Sequence, residues 1–131
     1  ANIEVGSTLP TAYTSMGKLL LAYLSDDELA AALATHDFGA HAGPNAATSL
    51  ADLRERLAAI REQGYSLQDQ EVAAGLRSVS VPVFGRDAAR PAAAINIAVS
   101  TQRHDLTSLR GPNLDRLRPT ADDLSWLLPR P

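Results

Sequence analysis

Leu76–Phe84 reads LRSVSVPVF, Ala92–Val99 reads AAAINIAV, and the link between them opens GRDAAR at Gly85–Arg90. In the first stretch Leu76, Ser78, Ser80 and Pro82 fall on one side, and Arg77, Val79, Val81 and Val83 on the other. That two-residue period is the signature of a strand with two distinct faces. The second stretch is apolar except for Asn96, and the short link beginning at Gly85 has the character of a hairpin connection. Strands joined this way are antiparallel neighbours, so an antiparallel sheet is the expected centre of the fold.

Working outward from the hairpin, Tyr65–Gln68 is a further short strand. It follows a helix from about Leu50 to Gln63, with Leu50, Leu53, Leu57 and Ile60 as its apolar stripe, Ser49 as N-cap and Gly64 as C-terminal stop. Thr14–Leu24 is helical by the spacing of Met16, Leu19, Leu20 and Tyr23, with Thr14 or Ser15 as the cap. Ser25 and Glu28 form a capping box before Leu29 and Leu33, which starts another helix. Thr35–Ala47, rich in His, Gly, Ala and Pro, is a loop. Asn2–Val5 reads as the end of a strand, followed by a loop through Gly6, Ser7 and Pro10, and its missing partner suggests that further strands precede it. Downstream, the leucines from 106 to 128 mark helical pieces divided at Pro112 and Pro119, the last of them packed onto the sheet by Trp126. Helices, a hairpin and helices again predict one α+β domain.

The 131 residues are enough for one core but short for two domains. An apolar share of 45% and a charged share of 21% are those of a globular chain. No apolar run approaches the roughly 18 residues of a membrane span. There is no cysteine and no leader-like start, which fits the cytoplasm. A net charge of -3 argues against this segment gripping nucleic acid by itself. Arg54, Arg56 and Arg61 alternate with Asp52, Glu55 and Glu62, the pattern of a solvated helix face.

Catalytic and phosphate-binding signatures (GxSxG, GxxxxGK[ST], GxGxxG, HExxH) are absent from the sequence. His36, His41 and His104 lie in loops without helical ligand spacing, so surface histidines are favoured over metal ligands. No cofactor is expected. Two stretches resist a purely structural reading. Thr11–Lys18 places Gly17 inside the first turns of a helix, where glycine costs roughly 1 kcal/mol against alanine. Close backbone packing is the favoured reason, and an anion on the helix-start amides the alternative. Gln68–Ser78 crowds polar groups around a Gly-containing turn, and Asn96 interrupts an apolar strand, where an amide faces either solvent or a ligand.

Taken together, LPTAYTSMGKLLLAYLSDDEL, LRERLAAIREQGYSLQDQEVAAGLRSVSVPVF and AAAINIAVSTQR resemble the effector-binding domain of IclR-type transcriptional regulators over nearly the whole chain. REQGY followed by DQE and GLRS is the most specific part. TSMG, DQE and INIAVS are most similar to the branch controlling aromatic acid breakdown through protocatechuate and β-ketoadipate. The resemblance implies a GAF-like antiparallel sheet flanked by helices, here lacking its first strands, with residues 1–131 as the sensor domain. It also implies a winged helix-turn-helix outside this chain that contacts DNA, and a homodimer or homotetramer.

The same resemblance places a small organic acid against Ser15, Met16 and Gly17, with Gln68, Asp69, Leu76, Ser78, Asn96 and Ala98 completing the pocket. Relatives that take glyoxylate- or pyruvate-like acids carry aspartate where Gln68 stands, cysteine at Ser78, and serine at Asn96 and Ala98. Those departures point instead to an aromatic or keto-dicarboxylic acid. Arg77, on the opposite strand face from Ser78, is expected to be structural and paired with Glu71. An enzyme with an unrecognised site and an oligomerisation module without ligand are the rival readings.

Overall fold

The computed structural model describes residues 11–86 and 88–128. The strand end and loop expected over Asn2–Pro10 lie outside these. Helix α1 spans Ser15–Leu21, α2 Asp26–Ala32 and α3 Leu50–Gln63. Strands β1 (Ser66–Asp69), β2 (Leu76–Phe84) and β3 (Pro91–Ser100) follow. A short α4 (Leu106–Ser108), a π turn (Leu109–Asn113) and α5 (Leu114–Leu127) close the described chain. The order of elements is that of an α+β domain.

Local chemistry explains most boundaries. The Thr14 hydroxyl caps α1 by accepting from the Gly17 N–H. Ser25 and Glu28 make both bonds of the capping box. Ser49 caps α3, and Gly64 ends it at φ 82°, a left-handed conformation that glycine adopts without strain. The sheet is antiparallel in the order β1-β2-β3. Its register sets Gln68 opposite Ser78 opposite Ala98, and Ser66 opposite Ser80 opposite Asn96.

The two faces of the sheet are packed differently. Val79, Val81 and Val83 meet Leu109, Leu114, Leu117 and Ala121 in an apolar layer, with Ile95, Ile97 and Val99 at its side. The other face presents the buried Ser66, Gln68, Ser78 and Ser80. Helix α1 lies on that face, backed by a second core of Leu19, Leu21, Leu29, Leu53, Leu57 and Ile60.

Three expectations are corrected here. The buried stripe of α1 is Ser15, Lys18, Leu19 and Ala22, while Met16 and Leu20 are exposed. Lys18 can be buried because it has an acidic partner, so the helix is turned away from the phase its apolar residues suggest. Pro119 does not divide the tail but sits within α5. Both Pro119 and Asp115 are exposed, and the Asp115 carbonyl that loses its helical donor can be hydrated. Trp126 is 69% exposed and does not seal the helix to the sheet. The buried side of α5 runs through Leu114, Leu117 and Ala121, and Trp126 lies off it, beneath the Arg86 guanidinium at 5.1 Å from the ring centre.

Candidate functional site

Between the start of α1 and the polar face of the sheet lies a cavity of about 220 Å³. Thr14, Ser15 and Met16 form its helical side, and Gln68 and Val72 the β1 side. Leu76 and Ser78 on β2 and Asn96 and Ala98 on β3 complete it. The alternation of strand side chains explains this gathering, since Gln68, Ser78 and Ala98 share one register row and point to the same face.

Of the nine residues expected to form a pocket, seven line this cavity: Ser15, Met16, Gln68, Leu76, Ser78, Asn96 and Ala98. Asp69 does not. It follows Gln68 in the strand and so points to the opposite face, where Arg77 donates to it at 2.6 Å and also bonds the His104 carbonyl. Asp69 and Arg77 are direct cross-strand partners, which corrects the expected pairing of Arg77 with Glu71.

Gly17 does not line the cavity either. A Cβ built there would come within 2.2 Å of the Thr11 carbonyl oxygen and 2.5 Å of Thr14 Oγ1. Close backbone packing therefore explains this glycine. Its N–H is already given to Thr14, which removes one of the amides expected to meet an anion. Thr14 and Val72 were not among the expected residues. The cap role of Thr14 was a usable signal for its place at the helix mouth, while Val72 follows a polar cluster and carried none.

The polar side of the cavity is tied together. Ser78 Oγ donates to Ser15 Oγ at 2.8 Å, and Gln68 Nε2 donates to Ser78 Oγ at 3.3 Å. Gln68 Oε1 accepts from the Glu71 N–H at 2.8 Å. Behind this wall the Glu71 carboxylate accepts from Lys18 Nζ at 2.8 Å and from Arg56 at 3.1 Å. Lys18 also donates to the Leu67 carbonyl at 2.6 Å. Burial pushes the Lys18 ammonium below the ordinary lysine range, and the neighbouring Glu71 opposes that shift. Arg56 continues the network to Asp52 and the Asn45 carbonyl, so it is more than part of a solvated helix face. The turn after β1 is also strapped from outside. Gly43 donates to the Glu71 carbonyl at 2.7 Å, and a Cβ at Gly43 would come within 2.3 Å of the Gln70 carbonyl oxygen.

His36 stacks edge-on against Tyr13 and Phe38. Among the described residues no group of three or more His, Asp or Glu side chains is gathered to hold a metal. No described helix is long and apolar enough to cross a membrane.

An α+β domain with a half-open cavity between its sheet and a short helix is suited to holding a small molecule. This chain belongs to the IclR family of transcriptional regulators, which are not enzymes: residues 1–126 match the family described as bacterial transcriptional regulator IclR C-terminal. The HTH-type transcriptional regulator XynR of Escherichia coli is 37% identical over 102 residues, covering 78% of this chain and 40% of that protein. The Pca regulon regulatory protein of Pseudomonas putida is 32% identical over 126 residues, covering 94% and 42%. Among solved structures, a double mutant of the PobR transcription factor inducer binding domain from Acinetobacter, in complex with 3-hydroxybenzoic acid, superposes with a TM-score of 0.83. It is 29% identical, covering 92% of this chain and 67% of that one. The chain thus spans less than half the length of these curated relatives.

Proposed function

We propose that this domain senses a small organic acid of the aromatic or keto-dicarboxylic class and thereby modulates DNA binding by a separate domain of the same cytoplasmic, oligomeric regulator. The cavity between α1 and the sheet carries the reading, because its lining joins a polar wall (Ser15, Gln68, Ser78) to an apolar one (Met16, Val72, Leu76, Ala98). A few polar groups within apolar walls are what fixes and orients a small ligand. The names of the relatives support the acid class, since one is a Pca regulon regulator and another is an inducer domain holding 3-hydroxybenzoic acid. Effector binding acts as a coupling free energy: it favours one arrangement of the subunits and so alters operator affinity.

The test is a thermal-shift and calorimetric screen of aromatic and keto-dicarboxylic acids on the full-length protein, followed by operator binding with and without the acid that binds. Saturable binding that changes operator affinity is expected. Turnover of the acid, or assembly with no acid bound at any concentration, would overturn the reading.

A further inference from the structure

The polar groups of the cavity do not only bind; they have fixed directions. Gln68 is 1% exposed, and its Oε1 accepts from the Glu71 N–H at 2.8 Å and the Val72 N–H at 3.5 Å. Turning the amide over would press an NH2 group against those donors, so its orientation is set by the backbone. Nε2 accordingly sits on the Ser78 side, with one hydrogen directed at Ser78 Oγ and a second beyond it. Ser78 spends its own hydrogen on Ser15, leaving the Ser15 hydroxyl hydrogen as a further donor. The buried end of the cavity therefore offers donors that suit an acceptor.

Among the described residues, none that lines the cavity is charged. Lys18, three residues along α1 from Ser15, is committed to Glu71 and the Leu67 carbonyl. Toward the mouth stand the exposed Asn96 and Met16, an amide and a thioether. Gln68 and Asn96 lie on the two outer strands, which are about 10 Å apart across the sheet, and Asn96 is two residues along from the row of Gln68. A cavity of about 150 Å³ accepts a benzene ring. The 220 Å³ here leaves room for a ring with a carboxylate and one small substituent.

We infer that the cavity selects a ring acid with a single carboxylate over a dicarboxylate of similar size, and that Gln68 is the residue that determines this specificity. The inference rests on the effector reading given above. One carboxylate is met by oriented neutral donors at the Gln68 end. A second would lie toward Met16, Leu76, Ala98 and the neutral Asn96 amide, where no described residue supplies a cation to offset its loss of hydration. A neutral ring hydroxyl at the other end can instead bond the Asn96 amide.

The experiment is calorimetric titration of the full-length protein with benzoate, 3-hydroxybenzoate, adipate and 3-oxoadipate, repeated on Gln68→Glu. That variant keeps an oxygen for the Glu71 and Val72 N–H groups but replaces the donor with a negative charge. The ring monoacids should bind at least about tenfold more tightly than the dicarboxylates. Gln68→Glu should weaken benzoate by about thirtyfold or more and reverse the preference between benzoate and benzamide, and because Gln68 is buried the unligated variant should melt at a lower temperature. Dicarboxylates binding as tightly as benzoate, or benzoate affinity unchanged by Gln68→Glu, overturns the inference while leaving the effector reading intact. If no acid of either kind binds, the effector reading falls and the inference with it. Should Gln68→Glu not fold, the ranking of monoacid against dicarboxylate on the unaltered protein decides the question.

Discussion

Lys18 on α1 and Glu71 in the turn after β1, 53 positions apart in the chain, form an ion pair of 2.8 Å whose side chains are 3% and 6% exposed. It joins the helix at the cavity mouth to the turn that orients Gln68. Breaking such a pair from one side leaves a buried charge short of its partner. Lys18→Met is expected to destabilise the protein by about 3 kcal/mol, because Arg56 compensates Glu71 only from its more exposed side. Lys18→Met combined with Glu71→Gln should recover part of that loss. Urea unfolding of the three variants checks this, and strictly additive losses would show that the pair is not coupled.

Gly17→Ala tests why α1 carries a glycine. In an unobstructed helix the change would stabilise by about 1 kcal/mol. Here the added methyl would lie 2.2 Å from the Thr11 carbonyl oxygen, so a loss of about 2 kcal/mol is expected instead. The sign alone, read from chemical denaturation without ligand, separates the two cases.

Asn96→Val separates a ligand contact from a structural one. Asn96 is exposed at the cavity rim, and its side chain makes no hydrogen bond among the described residues. The unligated protein should change by less than about 0.5 kcal/mol, as for other surface positions. Affinity for a bound hydroxylated ring acid should fall by about 1–2 kcal/mol, roughly five- to thirtyfold. A large stability loss with affinity unchanged would remove Asn96 from the site.

Glu28 makes two bonds to Arg90, at 2.7 and 2.8 Å, and closes the capping box of α2. The Arg90 bond, with help from Ser25, holds its carboxyl at about 2, below the ordinary 4.5. A depressed carboxylate stabilises the fold above its unfolded value and loses that contribution as pH falls through its folded value. The advantage of the natural protein over Glu28→Gln should therefore be full above pH 4.5 and vanish toward pH 2. The pair is exposed, so the gap should also shrink in high salt. A gap that persists unchanged to pH 2 in acid unfolding would exclude this pair as its source.

The sequence was most legible where one local rule decides the outcome. The Ser25 and Glu28 capping box, the Ser49 and Gly64 ends of α3, and the limits of β2 are all set by neighbours within a few residues. Seven of the nine expected pocket residues line one cavity, because strand alternation and the family resemblance select the same face. Reading failed where distant partners decide. Lys18 turns α1 toward an acid far along the chain, so the apolar residues of that helix misreport its buried side. The resemblance sets Asp69 in the pocket beside Gln68, although neighbouring strand residues face opposite ways. Trp126 is expected to pack the last helix onto the sheet, whereas the helical phase of Leu117 and Ala121 places it outside.

The unequal faces of the sheet imply unequal resistance to local opening. Under β2 and β3, α5 is held by valines, leucines and isoleucines, contacts that are lost only when the whole layer separates. Above them, α1 has seven residues and rests on serine hydroxyls, a glutamine amide and one ion pair, with Ser66 Oγ buried without a hydrogen-bond partner among the described residues. Hydroxyls turn easily and can accept water in place of one another, so the contacts of α1 with the sheet open more readily than those of α5, while Leu19 and Leu21 hold the other side of α1 in the second core. Its backbone amides should then exchange with solvent deuterium through a sub-global opening, well before those of β2 and α5. A molecule seated between α1 and the sheet would slow that exchange selectively, and the protected amides would map the hinge through which occupancy is felt elsewhere in the protein.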